Sequence, residues 1–119
     1  MFCRRRYYRN VKQGQISVEE LKNKIKQGAT LIDVRSKQEY NEGHLQNAIN
    51  IPDHEIDKTI ENRIPDKNQL IVLYCQSGGR SQNVYMKMIR KGYKNIYSLD
   101  GGLDMIWKRV IFINKEKIR

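Results

Sequence analysis

Leu70-Ile71-Val72-Leu73-Tyr74-Cys75-Gln76-Ser77-Gly78-Gly79-Arg80-Ser81 is the stretch on which the fold turns. Its first five residues are an unbroken apolar run, short enough for a strand and apolar enough for one buried on both faces. The glycines that follow end the strand, and Val84, Tyr85, Met88 and Ile89 then recur at helical spacing until Gly92. Strand, glycine-containing loop and helix in direct succession form the unit from which parallel sheets are built.

The same alternation extends outward in both directions. Upstream, Thr30-Leu31-Ile32-Asp33-Val34 is a second short apolar run, and Ala48-Ile49-Asn50-Ile51 ahead of Pro52 is a third. Between them Ser36-Lys37-Gln38-Glu39 reads as a capping box, in which the serine and the glutamate satisfy free backbone N–H groups of a helix that Gly43 closes. Ser17-Val18-Glu19-Glu20 is another such box, with Val18, Leu21 and Ile25 at helical spacing and a stop at Gly28. Ile56, Ile60 and Ile64 make one stripe on the helix after Pro52. Downstream, Asn95-Ile96-Tyr97-Ser98-Leu99 reads as the last clear strand, Gly101-Gly102 as a tight turn, and Leu103, Ile106 and Trp107 as the core face of a short helix. The expected fold is α/β, a doubly wound, mostly parallel sheet with helices on both faces. In such sheets ligands bind beyond the carboxyl ends of the strands, which is where Cys75 falls.

The chain's 119 residues have room for one core, and 39% hydrophobic with 30% charged residues is the composition of a soluble globular domain. No run approaches the roughly 18 apolar residues of a membrane span, and the N-terminus lacks the apolar segment of a secretory signal, so the expected localisation is cytoplasmic. Cys3 and Cys75 are expected as free thiols. The net charge of +10 would suggest nucleic acid if it were spread over the domain, but it sits at the ends. Residues 1–12 hold Arg4, Arg5, Arg6, Arg9 and Lys12 with no acid, and residues 108–119 hold Lys108, Arg109, Lys115, Lys117 and Arg119 against Glu116. The expected organisation is a basic N-terminal segment (1–12), a nearly neutral domain (13–107) and a basic tail (108–119). Such ends can contact RNA phosphates or an anionic membrane surface, but are read here as solvated modifiers of the domain.

Residues 75–81 carry the chemistry. A free cysteine is mostly protonated at neutral pH, so a nucleophilic one needs local positive potential. Gly78 and Gly79 let consecutive N–H groups turn into one concavity, while the following helix presents its positive end to the same place. Arg80 either adds a two-pronged donor for an oxyanion or turns away to hold the loop through a carboxylate. The competing reading of Cys75 is a small buried hydrophobe at a strand end.

Four motifs in order resemble those of the rhodanese domain family, from about Ser17 to Trp107. They are Asp33-Val34-Arg35 with Glu39-Tyr40; Gly43-His44-Leu45 followed by Ala48-Ile49-Asn50-Ile51-Pro52; the loop Tyr74 to Ser81; and Leu99-Asp100-Gly101-Gly102 with Trp107. Gln46-Asn47 stands where an apolar-glycine pair is commoner. The resemblance implies a rhodanese-like fold and a two-step sulfur transfer, in which the Cys75 thiolate takes sulfur from a donor such as thiosulfate and yields it to a thiol or cyanide. Gln76, Ser77, Gly78, Gly79, Arg80 and Ser81 would form the anion-binding loop, with no metal and no organic cofactor required. A protein that accepts sulfur is a further expected partner, and relay toward tRNA would give the basic ends a purpose.

A cysteine-dependent phosphatase or arsenate reductase also uses a cysteine and an arginine around an anion, but typically with five residues between them, whereas Gln76 to Gly79 is four. A module that only binds a partner or relays sulfur is the non-enzymatic alternative. Asp33 and Arg35, at a strand end near Cys75, are expected as a supporting ion pair. His44 is expected in a structural place, His54 at the surface and Trp107 in the core. Cys3, beside three arginines, is a candidate second redox thiol.

Overall fold

The structure, a computed structural model, describes residues 12–107. The basic ends and Cys3 lie outside the described residues, and so does nearly all of the proposed RNA-contacting charge.

Five strands form one parallel sheet: β1 (Gln15–Ile16), β2 (Thr30–Asp33), β3 (Ile49–Asn50), β4 (Ile71–Tyr74) and β5 (Ile96–Leu99). They lie in the order β1-β5-β4-β2-β3. The helices between them are α1 (Val18–Lys26), α2 (Lys37–Glu42), α3 (Ile56–Arg63), α4 (Gly79–Arg90) and α5 (Gly102–Trp107), with a 3-10 turn at Asp53–Glu55. Both capping boxes are formed: Ser17 with Glu20 opens α1, and Ser36 with Glu39 opens α2, which Gly43 closes.

Strand alternation sorts the apolar side chains into two cores. Ile71 and Leu73 of β4 join Ile32 and the α3–α4 face, with Ile56, Ile60, Ile64, Val84 and Met88. Val72 and Tyr74 point the other way, into a cluster with Val18 and Leu21 of α1 and Leu103 and Ile106 of α5. Every residue of β4 is therefore buried, which is why its sequence runs apolar without alternation. Each such side chain contributes about 1.5–3 kcal/mol relative to exposure.

Two expectations need correcting. Trp107 is 42% exposed, while Leu103 and Ile106 are buried. At about 100° per residue it sits roughly 70° from the midline of those two, beyond the stripe that reaches the core. Ile25, in the last turn of α1, is likewise 40% exposed, so the buried stripe of that helix stops at Leu21. In addition, β1 pairs with β5 through Gln15 and Ile16 alone, a strand too short to leave a periodic signal.

Candidate active site

After β2 the chain passes to β3 on one side, then returns to lay β4 on the other. The carboxyl ends of β2 and β4, paired through Asp33 and Tyr74, thus flank a topological switch point. Arg35 follows one strand and Cys75 the other.

Cys75 is 1% exposed, and its Sγ is the focus of the loop. The N–H of Gly78 donates to it at 3.1 Å and the N–H of Ser81 at 3.4 Å, with the Ser81 hydroxyl 3.6 Å away. Gly78 is the N-cap of α4 and has no side chain with which to cap it. The sulfur takes that place, accepting from the third residue of the helix as a serine or aspartate cap normally would. Gly78 reaches this geometry at φ +107°, in the left-handed region that favours glycine. The buried Ser81 hydroxyl in turn bonds the Gly78 carbonyl at 3.2 Å and locks the turn. The positive end of a 12-residue helix consequently faces a single sulfur atom.

The remaining loop residues are tied to their surroundings. Gln76 bridges two elements: its Oε1 accepts from Arg35 Nη1 at 3.2 Å and its Nε2 donates to Asp104 Oδ1 at 2.8 Å. Ser77 and Gly79 line a polar groove of about 450 Å³ that also meets Lys12, Gln82 and Asp100. Arg80 turns to α2 and grips Glu39 with both prongs, at 2.7 and 3.1 Å. Of the two orientations open to this arginine, the structure adopts the bracing one. The Arg80 hydrogen bond, helped by the Ser36 amide and hydroxyl, holds the Glu39 carboxyl down at about 2, and the same contact raises Arg80.

Asp33 and Arg35 form a buried ion pair at 2.8 Å beneath the loop. Arg35 Nε also reaches both Asp33 oxygens, Arg35 N bonds Oδ1, and Nη2 donates to the Gly43 carbonyl at 2.6 Å. Asn50 bonds the carbonyls of both residues, fixing the turn that carries them. Tyr74, its hydroxyl accepting from the Leu45 N–H, titrates far above its ordinary range because it is buried and lies close to Asp33. His44 bonds the Tyr40 carbonyl at 2.8 Å and stacks on the Tyr40 ring, a place within the scaffold of α2. His54 is at the surface.

Sequence reasoning did not single out two contributors to the site. Glu39 enters the sequence reading as a helix cap and as part of a family motif, not as the residue that holds Arg80 across 41 residues. Asp104 and the start of α5 were read as a turn and a core helix, yet the N–H groups of Leu103 and Asp104 bond the carbonyls of Cys75 and Gln76, both at 3.0 Å. The glycine pair was the available signal, since Gly101 and Gly102 both take positive φ where α5 meets the loop.

Comparison with known proteins agrees with this architecture. The rhodanese-like domain family model matches residues 17–109. The chain is 32% identical to the thiosulfate sulfurtransferase GlpE of Pseudomonas entomophila, over 79% of this chain and 84% of that one. It is 34% identical to the thiosulfate sulfurtransferase PspE of Escherichia coli, over 66% and 76% respectively. Among solved structures, a rhodanese with anions from E. coli superimposes with a TM-score of 0.60 at 36% identity, over 66% of this chain and 91% of that one. With its parallel sheet, its loop and these relatives taken together, the chain belongs to the rhodanese-like domain family and is a rhodanese-type sulfurtransferase.

Proposed function

We propose that this domain moves sulfane sulfur from a small donor such as thiosulfate to a thiol or cyanide acceptor through a persulfide on Cys75. The observation that carries the reading is the convergence of the Gly78 and Ser81 N–H groups on the Cys75 sulfur at the positive end of α4. A negatively charged sulfur is what such an arrangement holds well, before and after it gains a second sulfur. The relatives named as thiosulfate sulfurtransferases support the donor class.

In the first step the Cys75 thiolate attacks the outer sulfur of thiosulfate. A new S–S bond forms as the donor's S–S bond breaks, sulfite leaves with the electron pair, and Cys75 retains one extra sulfur. In the second step cyanide attacks that outer sulfur, thiocyanate departs and the thiolate returns; a thiolate acceptor would leave as its own persulfide. No redox change is needed beyond the sulfur moved, so no metal or organic cofactor enters either step. Asp33 and Arg35 act as supports, since Arg35 holds Gln76 at the base of the loop.

The test is an intact mass of the reduced protein after thiosulfate, repeated with Cys75→Ser. A gain of about one sulfur atom that cyanide discharges, seen in the wild type and absent from the variant, is the expected result. A thiol that alkylates readily yet gains no sulfur from thiosulfate or other sulfane donors overturns the proposal.

A further inference from the structure

Two guanidinium groups stand beside the sulfur-bearing loop, and each is matched by a carboxylate. Arg35 is wrapped around Asp33 in the buried layer. Arg80, the loop's own cation, is closed on Glu39 by two short hydrogen bonds, with about a third of each side chain exposed. Gln76 is neutral and already bonded to Arg35 and Asp104, so Asp104 places a third carboxylate at this rim. A donor entering here meets backbone N–H groups and two guanidinium groups whose charge is already answered, with Lys12 and Asp100 both lining the groove beside the loop. Two negative charges on one small donor are poorly served by that balance, while a single one suits the amide cradle.

We infer that Glu39 is a specificity-determining residue, which cancels the charge of Arg80 and tunes the site toward hydropersulfide donors, R–S–SH, over dianionic thiosulfate. The inference rests on the sulfur transfer proposed above. With a hydropersulfide, the Cys75 thiolate attacks the terminal sulfur, the Sγ–S bond forms as the donor's S–S bond breaks, and R–S⁻ leaves with the electron pair. Cys75 is left as –S–SH, and R–S⁻ takes its proton from solvent. Held down by the Arg80 and Ser36 hydrogen bonds, the Glu39 carboxyl stays charged at neutral pH, where the cancellation holds.

The experiment measures how fast Cys75 of the full chain is loaded, by intact mass in single turnover, from thiosulfate and from cysteine hydropersulfide. Glu39→Gln retains a residue that can complete the capping box with Ser36 but leaves Arg80 unopposed. It is expected to raise the thiosulfate-to-hydropersulfide ratio of loading rates by on the order of tenfold at low salt, with the gain shrinking in 0.5 M salt (about a 4 Å screening length). Arg80→Gln, which strands Glu39, is expected to lower the same ratio, and the double variant to return it close to the wild-type value. A purely structural role would slow both donors together and leave the ratio unmoved in all three variants, which overturns the inference. If Glu39→Gln does not fold, Arg80→Gln and the double variant decide it by the same ratio. Failure of both donors to load wild-type Cys75 instead removes the sulfur-transfer reading, and this inference with it.

Discussion

A β-carbon built on Gly102 would lie 2.4 Å from the carbonyl oxygen of Cys75, so α5 begins in direct contact with the backbone of the sulfur-bearing residue. The approach is close because the N–H of Leu103 must reach that same oxygen, at 3.0 Å. Gly102 also sits at φ +62°, in the left-handed region. Gly102→Ala is therefore expected to cost about 1–3 kcal/mol and to displace the loop. Sulfur loading of Cys75 should fall at least tenfold, because sub-ångström misplacement of a nucleophile is costly. Gly28→Ala is the control: Gly28 also has positive φ, at +91°, but its added carbon meets nothing within 4 Å. It should lose about 1 kcal/mol in urea unfolding and load sulfur normally. Equal losses of loading in both variants would refute a specific role for the Gly102 contact.

The Asp33–Arg35 pair predicts a different kind of damage. Asp33 is fully buried and Arg35 nearly so, and the guanidinium spends three of its contacts on that one carboxylate. Asp33→Asn keeps the shape but strands a buried cation, at about 3–5 kcal/mol of folding stability. Urea unfolding at neutral pH should show a midpoint shifted by that amount. A loss below about 1 kcal/mol would mean that water already reaches the pair.

Local features of this fold were legible in the sequence, and features set by distant partners were not. The capping boxes at Ser17 and Ser36 are complete within four residues, and the β4 run needs no partner to be recognised. Cys75 stands out in the sequence because a strand end and a glycine loop coincide there and because its neighbours resemble the family's motifs. By contrast, Arg80 could be read in two ways until its partner was known, and Glu39 lies 41 residues from it. Gln76 depends on Arg35 and on Asp104, neither of them a sequence neighbour. Trp107 has the right residue type for a core, yet the surface it would cover is already filled by Leu103 and Ile106.

Asn47 joins that lesson to a measurement. It occupies the position where glycine would be commoner, and it is the one described non-glycine residue with positive φ, at 69°. Asparagine tolerates this conformation better than other side chains, so the departure from the family pattern keeps the backbone that glycine would give. The residue is exposed, so a substitution reports on backbone conformation more than on packing. Asn47→Gly should be within about 0.5 kcal/mol of wild type and Asn47→Val destabilised by about 1–2 kcal/mol. Equal stability of the two variants in urea would contradict the left-handed turn.

The Arg80–Glu39 pair also fixes a pH dependence. The Arg80 hydrogen bond, with the Ser36 bonds behind it, lowers the Glu39 carboxyl from 4.5 to about 2 in the folded protein. A depressed carboxyl adds stability above its unfolded pKa and loses it as pH falls through the folded one. The contribution of Glu39 is thus complete above about pH 5 and gone below about pH 2. Because about a third of each side chain is exposed, solvent screening limits it to about 1 kcal/mol or less. Glu39→Gln should accordingly be less stable than wild type at pH 6, and the gap should close as pH falls from 5 toward 2. Urea midpoints at pH 6, 4 and 2.5 measure it, and a gap that stays constant across that range would show that the carboxylate charge is not what Arg80 holds.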